Sequence, residues 1–207
     1  MLKKIPISTV SRLSLYLKCF TELHIESVEY VSSEDLAERI GLNAAQVRKD
    51  LAFFGQFGRR GVGYNIVSLK EEISKILGTH KSWKTAVIGM GNLGSALTMY
   101  TGFRAKGFNI VAGFDVSTDK IGWEIDTLKI YDYQDLEKVI KKEKIEIVII
   151  TTPKEVLADV MAKLRKTGIK GILNFAGKYM KNEGNIIIRN VDLGQEMEQL
   201  TFFLTNK

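Results

Sequence analysis

The chain has 207 residues, 45% of them hydrophobic, enough apolar surface for a buried core, so general disorder is excluded. With 30 Lys+Arg against 24 Asp+Glu the net charge is +6, which suits a polyanionic partner without demanding one. No apolar run reaches the roughly 18 residues of a membrane span and no signal-peptide core follows Met1, which predicts a cytoplasmic protein; with one cysteine, Cys19, and two histidines, His24 and His80, neither a disulfide framework nor a metal site is expected.

Ser8 or Thr9 is placed to cap a first helix ending near Ile25, with Leu13, Leu17, Phe20 and Leu23 recurring at helical spacing. Ser32 with Asp35 fits a capping box for a short helix, Glu34 to Ile40, which Gly41 ends in the left-handed conformation open to glycine. Asn43 caps a third helix, Ala44 to Phe54. So short a turn forces the two helices to cross steeply, as in a helix-turn-helix. Val47, Leu51 and Phe54 point inward, Gln46, Lys49, Asp50 and Phe53 lie on other faces, and Arg48 sits at a border. Gly55 to Tyr64, with four glycines and Arg59 and Arg60 at its tip, suits a tight hairpin, a wing. Ser68 with Glu71 opens a further helix to about Leu77 that packs back on the bundle. From Asn43 to Tyr64 the charges are Arg48, Lys49, Arg59 and Arg60 against Asp50 alone. Gln46, Arg48 and Lys49 would enter a major groove while Arg59 and Arg60 reach the adjacent minor groove; the competing reading is a solvated face.

A polar seam, Gly78 to Ser82, divides a first domain, 1–78, from a second, 79–207. Beyond it Ala86–Ile88, Ile110–Phe114, Ile145–Ile150 and Ile169–Phe175 are apolar, β-branched runs, with Asn185–Asn190 a possible further strand. They alternate with helical segments near Ser95–Lys106, Tyr133–Lys142 and Glu155–Lys166, which predicts a doubly wound parallel sheet. The fold class is therefore α/β with an all-α N-terminal part, followed by a Rossmann-like sheet and a C-terminal amphipathic helix, 192–204, striped by Leu193, Met197, Leu200, Phe203 and Leu204.

Gly89-Met90-Gly91-Asn92-Leu93-Gly94 is a G-x-G-x-x-G motif between a strand and a helix, and Asp115 ends the next strand. Gly89 permits the tight turn, Gly91 lets a pyrophosphate approach the backbone, and Gly94 lets helix and strand pack closely. Asp115 would accept from adenosine ribose hydroxyls and, with no arginine among Val116, Ser117 and Thr118, favours NADH and NAD+ over their 2′-phosphorylated forms. A tyrosine followed four residues later by lysine, a common hydride-transfer pair, does not occur, and His24 lies in the first helix and His80 in the seam, outside the nucleotide domain proper. Binding without turnover is expected, so the chain reads as no enzyme. The alternatives kept open are a small NAD-dependent oxidoreductase with a helical appendage, a coenzyme A-binding regulator, and a nucleotide fold that has lost its ligand.

The run Gln46-Val47-Arg48-Lys49-Asp50-Leu51, followed by Phe54-Gly55-Gln56-Phe57-Gly58 and Gly61-Val62-Gly63-Tyr64 with the Gly89 motif downstream, resembles the Rex family of redox-sensing transcriptional repressors over essentially the whole chain. The resemblance implies a homodimer that exchanges C-terminal helices, binds a palindromic double-stranded operator when NADH is low and releases it when NADH rises. It implies a DNA-binding set of Asn43, Gln46, Arg48, Lys49, Arg59, Arg60 and Tyr64. It also implies a switch made of Arg12, Tyr100 and Asp192, and it places Thr151, Thr152, Pro153, Asn174, Phe175 and Ala176 beside a nicotinamide pocket.

Overall fold

The computed structural model describes residues 5–59, 61–125 and 128–206, which divide into two compact units at Lys81/Ser82.

The first unit is a helical bundle with a small sheet. Helix α1 (Ile7–Ile25) buries Leu13, Tyr16, Phe20 and Leu23. It is followed by β1 (Tyr30–Val31), α2 (Ser33–Ile40), α3 (Ala44–Ala52), β2 (Gly58–Arg59), β3 (Gly63–Asn65) and α4 (Ile66–Leu77). Ser32 and Asn43 cap α2 and α3 as expected, accepting from the Asp35 and Gln46 N–H groups, and Gly41 ends α2 at φ 68°. Each such cap stabilises its helix by about 1 kcal/mol. The antiparallel sheet has the order β1-β3-β2, so the wing hairpin is anchored by a third strand, Tyr30–Val31, too short to be seen in the sequence.

Four expectations are corrected here. The first helix starts at Ile7 behind Pro6 with no side-chain cap, because Thr9 is already helical and its hydroxyl donates to Asp50. Asn65 rather than Ser68 caps α4, its side chain accepting from the Ser68 N–H, so the helix begins at Ile66. Helix α3 stops at Ala52 instead of Phe54. Asp50, read as lying on another face, has no exposed surface: four side chains converge on it and meet the cost of burying its charge.

The second unit is a seven-stranded sheet in the order β10-β9-β8-β4-β5-β7-β6. In chain order it contains β4 (Trp83–Ile88), α5 (Asn92–Thr98), α6 (Thr101–Arg104), β5 (Phe108–Asp115), β6 (Glu124–Ile125), β7 (Leu128–Asp132), α7 (Leu136–Glu143), β8 (Ile147–Ile150), α8 (Leu157–Leu164), β9 (Gly171–Asn174), β10 (Ile187–Asn190) and α9 (Leu193–Thr205). All pairings are parallel except β6 with β7. Ala86, Ile88, Ala112, Phe114, Val148 and Ile150 pack against α7 and α8 on one face, while Val87, Met90, Leu128, Ile130 and Ile149 form a smaller cluster on the other, against Leu97 and Phe103. The single helix expected over Ser95–Lys106 breaks at Met99–Tyr100, and the Tyr100 ring lies where a Cβ on Gly102 would be. None of the α9 residues is buried, and Leu200, Phe202 and Phe203 are each more than half exposed.

Candidate functional site

The first strand of the sheet, β4, lies at its centre. The chain winds outward through β5 and β7, then returns to β8 on the other side of β4, so the carboxyl ends of β4 and β8 flank a topological switch point, where open α/β sheets bind ligands. Gly89 follows β4 with φ 92°, its N–H bonded to the Phe114 carbonyl, and Thr151 follows β8. The Thr151 hydroxyl lies 2.7 Å from the Gly89 carbonyl oxygen and 3.1 Å from that of Ile88, and donates its proton there, stitching the two strand ends together. A Cβ on Gly94 would fall 2.0 Å from the Gly89 oxygen, whereas one on Gly91 would meet nothing within 4 Å. The loop is thus closed on its protein side at Gly94 and open on its outer side at Gly91.

Asp115 accepts from the Met90 N–H at 2.8 Å and the Ser117 N–H at 2.9 Å, and Lys120 donates to the Met90 carbonyl at 2.8 Å while standing 3.5 Å from Asp115. Both polar groups of the Met90 peptide are therefore clamped, which fixes the glycine loop. Burial would raise the Asp115 carboxyl, but the Ser117 and Met90 N–H groups and Lys120 outweigh it and hold it below its ordinary value.

A cavity of about 600 Å³ opens from this point, lined by Gly89, Gly91, Asp115, Val116, Lys120, Tyr133, Thr151, Thr152, Pro153, Val156 and Asp159. Tyr133 donates to Asp159 at 2.7 Å, and both burial and that bond push its hydroxyl up. Among the described residues, the Thr152 hydroxyl oxygen is the buried side-chain polar atom without a hydrogen-bond partner. An orphaned oxygen, apolar walls at Val116, Pro153 and Val156, and open space at Gly91 fit an elongated nucleotide with polar groups along one edge.

The structure thus gathers Gly89, Gly91, Asp115, Thr151, Thr152 and Pro153 around one cavity, with Asn92 and Leu93 exposed beside the loop. Other expected residues stand differently. Met90 contributes its backbone while its side chain is buried against Gly113. Asn174 is buried, its amide donating to the Lys178 carbonyl and Asn190 and accepting from the Ala176 N–H. Phe175 packs on the smaller core cluster, and Ala176 is buried. Tyr100, 57% exposed and edge-on to Phe103, lines a separate cavity with Arg104, Ile110 and Leu128. Asp192 caps α9, accepting from the Gly194 and Gln195 N–H groups. Lys120, Tyr133, Val156 and Asp159 were missed; each follows the carboxyl end of β5, β7 or β8, the signal that would have found them.

On the first unit, α3 carries the polar face. Gln46 donates to Asp50 at 2.8 Å, Arg48 to Ser33 Oγ at 2.6 Å and Glu34 at 2.9 Å, and Lys49 is exposed. Arg12 holds the same Asp50 through Nε at 2.5 Å and Nη2 at 2.8 Å, and Tyr16 donates to it at 2.8 Å. Asn43 spends its side-chain oxygen on the cap of α3. Tyr64 is buried and packs on Gly58. Arg59 is exposed on β2, and Arg60 lies outside the described residues. A groove of about 600 Å³ runs between α3 and the wing, with Arg48, Gln56 and Arg59 on its walls. Among the described residues, no group of His, Cys, Asp and Glu could hold a metal ion, and no helix is long and apolar enough to cross a membrane.

Residues 80–177 match the family described as "CoA binding domain", and residues 4–52 the family described as "Putative DNA-binding protein N-terminus". A protein of Carboxydothermus hydrogenoformans named redox-sensing transcriptional repressor Rex is 46% identical over 199 residues, 96% of each chain. One of the same name from Thermosipho africanus is 42% identical over 200 residues, 97% of this chain and 96% of its own. The crystal structure of RSP in complex with β-NAD+ and operator DNA matches with a TM-score of 0.92 at 35% identity, covering 98% of this chain and 93% of that one.

Proposed function

The chain belongs to the Rex family of redox-sensing transcriptional repressors, and from that premise we propose that it binds a palindromic operator as a homodimer and leaves it when NADH fills the crevice. Its class is that of a DNA-binding repressor regulated by NAD(H) redox state, not an enzyme. The observation that carries the reading is one chain holding both a helix with an exposed basic face and a nucleotide crevice with an orphaned threonine hydroxyl.

The residues fit the cofactor. The Gly89–Gly94 loop would receive the pyrophosphate where Gly91 is open, Asp115 would meet the ribose, and the apolar walls at Val116 and Val156 would hold the adenine. When bound, the dinucleotide supplies a nicotinamide that is positive when oxidised and neutral when reduced. Apolar surroundings near Thr151 and Phe175 would penalise the charged ring by desolvation, and each 1.4 kcal/mol of that penalty would give about tenfold preference for NADH. Arg12, Tyr100 and Asp192 carry the switch in this reading. Their present partners, Asp50, Phe103 and the α9 N–H groups, are what the switch must exchange. The uncovered apolar side of α9 is the dimer contact, by helix exchange, and the protein acts in the cytoplasm beside the DNA. Two recognition helices reach successive major grooves only about 34 Å apart, so a modest change in their separation ends binding.

Calorimetric titration of the full chain with NADH, NAD+ and coenzyme A tests the cofactor assignment. One NADH per chain, bound more tightly than NAD+ and with coenzyme A weaker than both, is expected. Tight coenzyme A binding without NADH binding would contradict it.

A further inference from the structure

Arg48 stands on the exposed border of α3, where a cation would meet a duplex, yet its charge is already matched. Its Nη1 donates to the Ser33 hydroxyl at 2.6 Å and to Glu34 Oε1 at 2.9 Å, and the Ser33 hydroxyl donates in turn to Glu34 Oε2 at 3.0 Å. Both charged side chains are more than half exposed, so water and a competing anion can reach the pair. Glu34 also faces the groove between α3 and the wing that Arg48 and Arg59 line. A carboxylate on the wall of a groove that Arg48 and Arg59 also line opposes DNA binding twice over: it neutralises one cation, and once that cation leaves, it repels the phosphates.

We propose that Glu34 is an affinity-setting residue of the DNA site, an internal counter-anion that a duplex must displace from Arg48. The inference rests on α3 being the DNA-reading helix. Affinity for arbitrary sequence comes from counterions released when cations meet phosphates, and a cation already paired within the protein releases fewer. Exchanging the Glu34 carboxylate for a phosphate oxygen is close to neutral. Exchanging it for the two neutral acceptors of a guanine edge breaks the same pair and carries the same cost. Because Arg48 must leave Glu34 before it can meet either a phosphate or a base edge, the pair lowers affinity for every duplex that engages Arg48, the operator included.

The test measures the affinity of the full chain, Glu34→Gln, Glu34→Ala, Arg48→Ala and the Glu34→Gln/Arg48→Ala double variant for an operator duplex and a scrambled duplex over a range of salt. Glu34→Gln should bind the operator and the scrambled duplex each about fivefold more tightly, with a steeper salt dependence. The gain should vanish in the double variant. A gain that persists without Arg48, or no gain in either Glu34 variant, would overturn the inference. Failure of the unaltered chain to bind either duplex would instead defeat the reading of α3 on which it rests.

Discussion

Gln46 and Asp50 are joined across one turn of α3 by a 2.8 Å hydrogen bond in which the exposed-side amide donates to a fully buried carboxylate. Arg12, Tyr16 and Thr9, all from α1, bond to the same carboxylate, so α3 and α1 share a single polar anchor. Residues that appear independent in the sequence, one a candidate base reader and one a candidate switch arginine, are physically coupled through Asp50.

Asp50→Asn should therefore destabilise the N-terminal domain by about 3 kcal/mol, the cost of leaving a largely buried charge without its partner. Burial alone would raise the Asp50 carboxyl, but the bonds from Arg12, Tyr16 and Gln46 outweigh it and hold it below its ordinary value. A group lowered on folding contributes stability above its unfolded pKa and loses it as pH falls through the folded one. This contribution should be constant above about pH 5 and disappear progressively below about pH 4. Acid titration by far-UV circular dichroism checks it; an acid limb and Tm unchanged in Asp50→Asn would contradict the role given to the anchor.

The glycine loop separates a packing role from a binding role. Gly94→Ala drives a methyl group into the Gly89 carbonyl and should lower Tm and abolish NADH binding together. Gly91→Ala adds a methyl where nothing lies within 4 Å, so it should leave Tm unchanged while weakening NADH at least about tenfold. Calorimetry and thermal melts on both variants decide the matter, and full NADH affinity in Gly91→Ala would place the pyrophosphate elsewhere.

Exposed cations on the proposed DNA face should register as salt dependence. Lys49→Ala and Arg59→Ala should each reduce the slope of log affinity against log salt by about 0.9 for each phosphate left without its cation, and lower affinity for operator and scrambled duplexes alike. Slopes unchanged in both variants would remove α3 and the wing from the interface.

Helix α9 leaves Leu200, Phe202 and Phe203 exposed at its surface. A single charge among them, as in Phe203→Glu, should convert a dimer into a monomer by sedimentation analysis and abolish operator binding, because one recognition helix loses its partner. A dimer that survives this substitution would put the subunit contact on another face.

Much of this was legible in the residues. Ser32, Gly41 and Asn43 carry their cap chemistry locally, so the helix-turn-helix could be placed closely, and the Gly89 motif announces its turn through the backbone it demands. What depended on distant partners was not legible. Asp50 is charged and lies on an otherwise polar stretch of sequence; only the meeting of α1 and α3 makes it a buried hub. Tyr30–Val31 and Leu128–Asp132 are strands because of the edges they pair with, and missing β7 concealed Tyr133 and its role in the crevice. Thr9 reads as a cap from its neighbours but serves Asp50 instead.

The central claim, that the chain couples operator release to the reduced cofactor, is tested most directly by fluorescence anisotropy of a labelled palindromic operator bound by the full chain at fixed salt, titrated with NADH and separately with NAD+. The account predicts release by NADH at concentrations at least about tenfold below any at which NAD+ acts. Operator binding indifferent to both dinucleotides, or released equally by the two, would contradict it.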